Sequence, residues 1–276
     1  MQFIKKLFFK KSPLVNIIRM HGVIASASRF PGSSSISLES LEKPLARAFS
    51  GKRVAGVALI INSPGGSPVQ CSLISERILQ LSKKHDVPVY SFIEDVAASG
   101  GYWLACSADK IYVMPSSILG SIGVISAGFG FVEIIKKLGI ERRVYSKGKN
   151  KGMLDPFQPE NTDDVDIITD MQDEIHKQFK EWVTFRRGKK IKKTDIEKEG
   201  IFEAKIFSGS KACELGLADS IGELRTVLKE RIGDDVVFKE VTGKKKLTQR
   251  LGLSGSIYNK LIEDIEERIA FARFGL

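Results

Sequence analysis

The residues best suited to chemistry lie in two glycine-containing motifs. The first, NSPGG at 62–66, directly follows an apolar run rich in β-branched residues. The second, AASGGYW at 97–103, places Ser99 among small neighbours after another apolar run. Glycine amides that converge on one spot can hold an oxyanion, and a serine that opens a helix lies at the positive end of the helix dipole. Together the motifs indicate acyl transfer, although a simple turn and a helix-capping serine would explain each motif alone.

A serine nucleophile needs a base that accepts its proton. The three histidines, His21, His85 and His176, have no carboxylate at a spacing typical of a Ser-His-Asp triad, although distance along the chain does not exclude one. Lysine can replace histidine when burial disfavours its charged form. Three lysines cluster at 147–151, and composition alone does not choose among them.

Apolar runs alternate with helical patterns, which predicts an α/β fold with a parallel sheet. Strands are predicted at 14–24, 54–61, 87–94, 111–114 and 142–145, and helices at 37–50, 68–84, 99–108, 132–138, 161–187 and 258–274. Residues 201–232 are predicted to form a turn and a helix. In this arrangement both glycine motifs lie at the carboxyl ends of strands.

Composition and charge narrow the class of protein. The 276 residues are 42% hydrophobic and 28% charged, as in an ordinary soluble chain. Three scattered cysteines, Cys71, Cys106 and Cys213, predict small core residues in a reducing compartment rather than disulfides or a zinc site. The net charge of +10 lies in islands without an RNA-binding or helix-turn-helix pattern, so nucleic acid is not the expected partner. Attraction to an anionic membrane explains the islands equally well.

The first eleven residues, MQFIKKLFFKK, are basic and aromatic. Their apolar runs of two or three residues are far shorter than the roughly 7–15 of an export signal or the roughly 20 of a membrane span. We therefore expect a cytoplasmic protein. Its arm at 1–13 is either solvated or in peripheral contact with the anionic cytoplasmic face of the inner membrane.

Four ordered segments resemble peptidase family S49, which includes signal peptide peptidase A, protease IV and SohB. They are NSPGG, AASGGYW, GSIGV, and GKNKG followed by DPF; the later EAKIFSGSKACELGLADSIG is similar to a further family segment. The resemblance covers residues 14–235, which we assign to the peptidase domain, with 1–13 as the basic N-terminal arm and 236–276 as a C-terminal helical extension. It implies a ClpP/crotonase-like ββα spiral that works by a Ser-Lys dyad.

Residue by residue, the resemblance implies roles for five positions. The family's nucleophile falls on Ser99 and its lysine base on Lys151, so the other two lysines of that run revert to a surface role. The serine that orients the lysine amine falls on Ser121. The oxyanion donors fall on the amides of Gly65 and Gly100. No metal or cofactor is implied.

The resemblance also implies substrates and partners. Extended, apolar peptides such as cleaved signal peptides are the expected substrates. Family members assemble into rings or domes, and in some of them neighbouring subunits share one dyad, so we expect a homo-oligomer. In two respects the chain departs from the family: Asp155 replaces a serine or glycine before Pro-Phe, and the spanning helix of membrane-anchored members is not seen.

Two other classes of protein remain as alternatives. An acyl-CoA hydratase or isomerase on the same spiral would use its glycine amides to hold a thioester enolate and would not need Ser99. An inactive scaffold built on the peptidase fold would bind a partner or membrane surface without turnover.

Overall fold

The fold is described from a computed structural model of the chain. The structure describes residues 12–26, 35–241, 265 and 268–276. Most of the basic N-terminal arm and most of the predicted helix at 258–274 therefore lie outside the described residues. Residues 268–272 within that predicted helix are helical. Across the described ranges, no helix has both the length and the apolar character needed to cross a membrane.

One twisted sheet forms the centre of the chain. Its strands are β1 (Leu14–His21), β2 (Val54–Ser63), β3 (Val89–Ala98), β4 (Lys110–Val113), β5 (Ile118–Gly120), β6 (Ile206–Ser208), β7 (Ser220–Ile221) and β8 (Val237–Glu240). The helices are α1 (Leu38–Phe49), α2 (Pro68–His85), α3 (Gly100–Ala105), α4 (Val132–Lys137), α5 (Thr162–Arg187), α6 (Lys193–Glu199), α7 (Gly209–Glu214) and α8 (Leu224–Ile232). The strand order is β6-β5-β3-β2-β1-β8, with β4 between β3 and β7. Every pair is parallel except β5 with β6.

Strand β3 has two different partners along one of its edges. Its first part, Tyr90 to Ile93, pairs with β4, and its last three residues, Val96 to Ala98, pair with β5. An irregularity in the β2–β3 register falls between these two parts. The end of β3 therefore turns away from β4 and delivers the next residue, Ser99, beside β5.

Both faces of the sheet are covered, which explains why β2 is apolar along nearly its whole length. One face packs against α1, α2, α3 and α5 through a core that includes Ile18, Leu59 and Tyr102. The other face packs against α8, where Leu228 meets Phe92 and neighbouring side chains. Cys71 and Cys106 are buried in the first core, as predicted, whereas Cys213 is only partly buried and packs at its edge. All three are free thiols.

The structure differs from the sequence-based expectations in its second half. The predicted strand at 142–145 is wrong, because these residues are exposed and pair with no described strand. The short strands β5 to β8 were not predicted. Strand β8 pairs with β1 in the main sheet, although it lies within 236–276, the range assigned to a helical extension.

Candidate active site

Ser99 occupies a sharp turn between β3 and α3. Its backbone has φ +51° and ψ −121°, and such a conformation costs a non-glycine residue roughly 1–3 kcal/mol unless neighbours enforce it. The Ser99 N–H donates to the Gly120 carbonyl oxygen at 2.8 Å. The Ser99 carbonyl oxygen accepts from the amides of Tyr102 and Trp103 at 2.9 and 3.0 Å. Hydrogen bonds therefore fix the Ser99 backbone on both sides of its side chain.

The Ser99 hydroxyl makes no capping hydrogen bond to a described residue. The simpler interpretation of Ser99 as a helix cap therefore does not hold. Ser99 instead lines a cavity of about 680 Å³. A hydroxyl that no capping bond occupies, at the wall of a cavity, is available to a bound ligand.

Gly65 brings the first glycine motif against Ser99. Its φ of +110° lies in a region that side chains rarely adopt, and a Cβ there would come within 2.8 Å of Ser99 Cβ and 2.9 Å of Gly100 N. A Cβ on Gly100 would come within 2.6 Å of Cys71 Sγ and 3.2 Å of Gly66 N. The two motifs are thus in direct backbone contact.

The backbone amides near Ser99 differ in their hydrogen bonding. Gly100 is the first residue of α3, so its N–H has no acceptor within the helix. The Gly65 N–H donates to Ser63 Oγ at 3.2 Å. A substrate oxyanion held by Gly65 and Gly100 would therefore replace Ser63 Oγ as the acceptor of the Gly65 amide, and these two assignments stay predictions.

The cavity has an apolar wall. The rings of Trp103 and Phe179 pack there with their centroids 4.9 Å apart and their planes tilted by 33°, and Met171 and Ile175 from α5 extend the same wall. Among the described residues that line the cavity, Arg273 alone carries a charge. Such a lining suits an extended chain with apolar side chains.

Cys71 lies beneath the glycine motifs but is unsuited to nucleophilic attack. Its side chain is fully buried, and its thiol donates to the Gly100 carbonyl oxygen at 3.6 Å. Burial raises the pKa of the Cys71 thiol to about 12, so the thiolate is scarce at neutral pH. The sequence indicated a core cysteine correctly and carried no signal of its proximity to Ser99.

Ser121 lines the same cavity as Ser99. It is 6% exposed and has a positive φ of +52°. Its N–H donates to the Lys205 carbonyl oxygen at 2.8 Å, which extends the pairing of β5 with β6. The structure therefore brings together four of the five predicted site residues: Ser99, Ser121, Gly65 and Gly100.

Lys151 is the predicted site residue that does not join them. It lies in an exposed turn, and no lysine from the described ranges lines the cavity. Lys151 belongs to residues 124–160, which are here called the arm and are distinct from the N-terminal residues 1–13. Every residue of the arm is described and none is buried. Large apolar side chains of the arm face solvent, with Phe129 82% and Tyr145 92% exposed.

The arm is held together by a small cluster at its base. The Phe131 N–H donates to the Pro156 carbonyl oxygen at 2.6 Å, and the rings of Phe131 and Phe157 lie 5.6 Å apart. Asp155 accepts from the Phe157 amide at 3.0 Å and pairs with Arg142, and these two contacts lower the pKa of the Asp155 carboxyl. Asp155, which replaces the family's serine or glycine before Pro-Phe, thus stabilises the cluster at the base of the arm.

None of the three histidines lines the cavity. His21 Nε2 lies 2.8 Å from Glu94 Oε2, and His85 ends α2 in an exposed position. His176 Nε2 lies 3.1 Å from the Ile122 carbonyl oxygen, to which it must donate because a carbonyl only accepts. Within one chain, a Ser-His-Asp triad at Ser99 therefore lacks its histidine.

Comparison with known proteins identifies the family and the fold of the chain. The sequence model of "Peptidase family S49" matches residues 82–234, which include Ser99, Ser121 and Lys151. The chain belongs to peptidase family S49. Its α/β fold of the ClpP/crotonase-like type is confirmed by a solved S49 structure, a variant of the 1510-N membrane-bound stomatin-specific protease. That structure has a TM-score of 0.54 and 14% identity, and the alignment covers 85% of this chain and 100% of that one.

Two curated relatives show how the S49 region occurs in longer proteins. A Brucella abortus protein named "Na(+)/H(+) antiporter NhaA" is 41% identical over 279 residues, which cover 95% of this chain and 37% of that protein. An Arabidopsis thaliana protein named "Serine protease SPPA, chloroplastic" is 28% identical over 217 residues, which cover 76% of this chain and 31% of that protein. This chain thus spans about a third of the length of each relative, and the activities in their names are those of the relatives.

Proposed function

We propose that this chain is a serine endopeptidase in which Ser99 attacks the peptide carbonyl and Lys151 of a second copy accepts its proton. The observation that carries the proposal is the turn at Ser99. A strained, hydrogen-bonded backbone presents a serine without a capping bond to an apolar cavity, beside the free first amide of α3. Membership of an S49 peptidase family supports the same activity.

The exposed position of Lys151 supports a base supplied by another copy. A lysine acts as a base near neutral pH only when its charged form is disfavoured, and burial disfavours that form. In the isolated chain the arm that carries Lys151 has no buried residue, whereas Phe129 and Tyr145 offer apolar surface for a partner. Docking of the arm on a second copy would bury this surface and Lys151 together.

The proposed reaction proceeds through an acyl-enzyme. The neutral amine of Lys151 takes the Ser99 proton as Oγ bonds to the carbonyl carbon, and the amides of Gly65 and Gly100 hold the oxyanion. Ser121 orients the amine. The resulting ammonium gives its proton to the leaving nitrogen as the C–N bond breaks. Water then attacks the ester while Lys151 accepts its proton, and that proton passes to Ser99 Oγ as the ester C–O bond breaks. Apolar peptides such as cleaved signal peptides are the proposed substrates.

Labelling by a serine-directed fluorophosphonate tests the nucleophile. Wild-type protein should be labelled and should cleave an apolar reporter peptide, whereas Ser99→Ala should do neither while it remains folded. An acyl-CoA hydratase would leave the probe unreacted, and an inactive scaffold would leave the peptide intact. Cleavage that survives Ser99→Ala would remove Ser99 from the mechanism.

Mixing two inactive variants tests whether the dyad is shared between copies. Ser99→Ala and Lys151→Ala should each be inactive alone. After mixing and reassembly, about a quarter of sites should combine an intact Ser99 with an intact Lys151 from different chains, so activity should return. If the mixture stays inactive although both variants assemble, the dyad forms within one chain.

A further inference from the structure

The wall that carries Ser121 is a short segment that follows β5, and hydrogen bonds hold it in place. Ser121 N–H donates to the Lys205 carbonyl oxygen at 2.8 Å, and the Ala204 N–H donates to the Ile122 carbonyl oxygen at 3.3 Å. Both bonds link this segment to the residues that lead into β6. These two bonds fix the Ser121 segment on the side that faces β6. Helix α5 lines another side of the same cavity.

His176 connects α5 to this wall. Its Nε2 lies 3.1 Å from the Ile122 carbonyl oxygen, which thus accepts from both His176 and Ala204. A carbonyl oxygen has two lone pairs and can accept both bonds. His176 lies one turn of α5 from Gln172 and is followed by Phe179 on the next turn, and both of these residues line the cavity. His176 itself does not line the cavity.

We propose that His176 is a positioning residue, whose bond to the Ile122 carbonyl fixes the Ser121 wall in the geometry that the incoming lysine amine requires. The role of Ser121 on which this inference rests belongs to the proposed function. The contact itself does not depend on it.

Strain in the backbone makes such a bond consequential. Ser121 has φ +52°, which a serine adopts only when its surroundings enforce it. The residue that follows it, Ile122, is the one His176 holds. Loss of that bond allows the wall to relax, and displacement of a positioning group by about 1 Å can lower a rate by up to about a hundredfold.

Three variants on α5 test the proposal. His176→Leu removes the donor, His176→Gln keeps an N–H donor of similar reach, and Gln178→Leu makes a matched change on the exposed side of the helix. In His176→Leu we expect kcat on a reporter peptide to fall about tenfold with KM within about twofold of the wild-type value. His176→Gln should recover most of the loss, and Gln178→Leu should behave as the wild type.

Hydrogen exchange provides a readout that does not depend on activity. The amides of Ser121 and Ala204 should exchange faster in His176→Leu than in wild-type protein, while the core strands and the unfolding midpoint stay unchanged. Unchanged exchange at both amides, or equal losses of kcat in the Leu and Gln variants, would overturn the proposal. If wild-type protein cleaves no peptide, the proposed peptidase function fails, while the exchange comparison still decides the role of His176.

Discussion

Gly66 shows how closely the backbone packs around Ser99. Its φ of +144° is rarely adopted by residues with a side chain, and a Cβ at this position would overlap the backbone of Ile24. Backbone atoms of a neighbouring segment cannot move aside as the end of a flexible side chain can. The second glycine of NSPGG is therefore a steric requirement of the fold around the site.

Substitution of Gly66 by alanine should destabilise the protein by at least about 2 kcal/mol, because it adds both backbone strain and overlap. Urea unfolding would measure the loss. Gly128 has open space around its position, so Gly128→Ala is the matched control and should leave the midpoint nearly unchanged. Equal midpoints for the two variants would show that the loop around Gly66 adapts.

The motif residues could be found from the sequence because glycine and serine were needed at fixed positions after apolar runs. The proximity of Ser121 to Ser99 depends on the β3–β5 pairing, which no local pattern encodes. The contact of His176 with Ile122 spans 54 residues and was equally hidden. The exposed position of Lys151 could not be predicted either, because the resemblance supplied its role but no geometry.

Among the elements, α5 does more than cover the sheet, because its last turns hold α3. Arg186 donates to the carbonyl oxygens of Cys106, Ser107 and Ala108 at 2.7, 3.2 and 3.0 Å. Trp182 Nε1 donates to the Trp103 carbonyl oxygen at 3.0 Å. The helix that begins after Ser99 is thus fixed from its far end. Arg186 begins the basic run RRGKKIKK at 186–193, one of the islands of positive charge.

Arg186→Ala should lower the free energy of unfolding by about 2 kcal/mol, since it leaves three carbonyl groups without their donor. It should also slow fluorophosphonate labelling of Ser99, because α3 loses its anchor. Lys189, three residues on, is exposed, so Lys189→Ala is the control and should change stability by less than about 0.5 kcal/mol. Similar losses in both variants would mean that the positive charge of the run matters rather than the hydrogen bonds.

The end of α5 is also joined to β4 through Asp219. Arg187, which is 2% exposed, donates to Asp219 Oδ2 at 2.7 Å, and the Ile111 amide donates to the same oxygen at 2.8 Å. Burial by itself would raise the pKa of Asp219, but the hydrogen bond from Lys190 and the charge of Arg187 outweigh it and hold the pKa at about 2.

This depressed pKa predicts a pH-dependent contribution to stability. Because the carboxyl has a pKa of about 3.9 in the unfolded chain, its contribution of about 2–3 kcal/mol is complete above about pH 5 and is lost as the pH falls towards 2. Wild-type protein and Asp219→Asn should therefore differ in unfolding free energy at pH 7 and converge near pH 2. A difference that is constant with pH would contradict the assignment.

Strands could be predicted where apolar runs are long, as in β1 to β3, or short but mostly apolar, as in the four-residue β4. Strands β5 to β8 have two to four residues, too few to show a period, and each exists because another strand pairs with it. The run at 142–145 has strand-like composition but no partner in the described part of the chain. Pairing, which is a property of the whole fold, decides both cases.

At the scale of the whole molecule, the arm at 124–160 differs from the rest of the chain because no buried residue offsets the entropy lost when it is ordered. Ordering a residue costs roughly 1–2 kcal/mol in backbone entropy, and burial of apolar surface normally compensates. The arm has no buried residue and exposes Ile125, Phe129 and Tyr145. Such a surface is typical of an interface with another protein.

The double variant Phe129→Glu, Tyr145→Glu should remain folded but should fail to assemble and to cleave peptide, because both changes place charge on the proposed interface. Sedimentation and circular dichroism would measure assembly and folding. Lys229→Glu changes the charge of an exposed residue on α8 and should assemble normally. Monomeric wild-type protein that is fully active would refute the shared dyad.

The separation of Lys151 from Ser99 within one chain has a consequence for the cell. Under the proposed assembly, a newly synthesised chain is inactive as a monomer, because the lysine that activates its serine comes from another copy. When expression is low, the number of complete active sites then rises more steeply than the concentration of the protein. Proteolysis would begin at a threshold dose and would fade again on dilution.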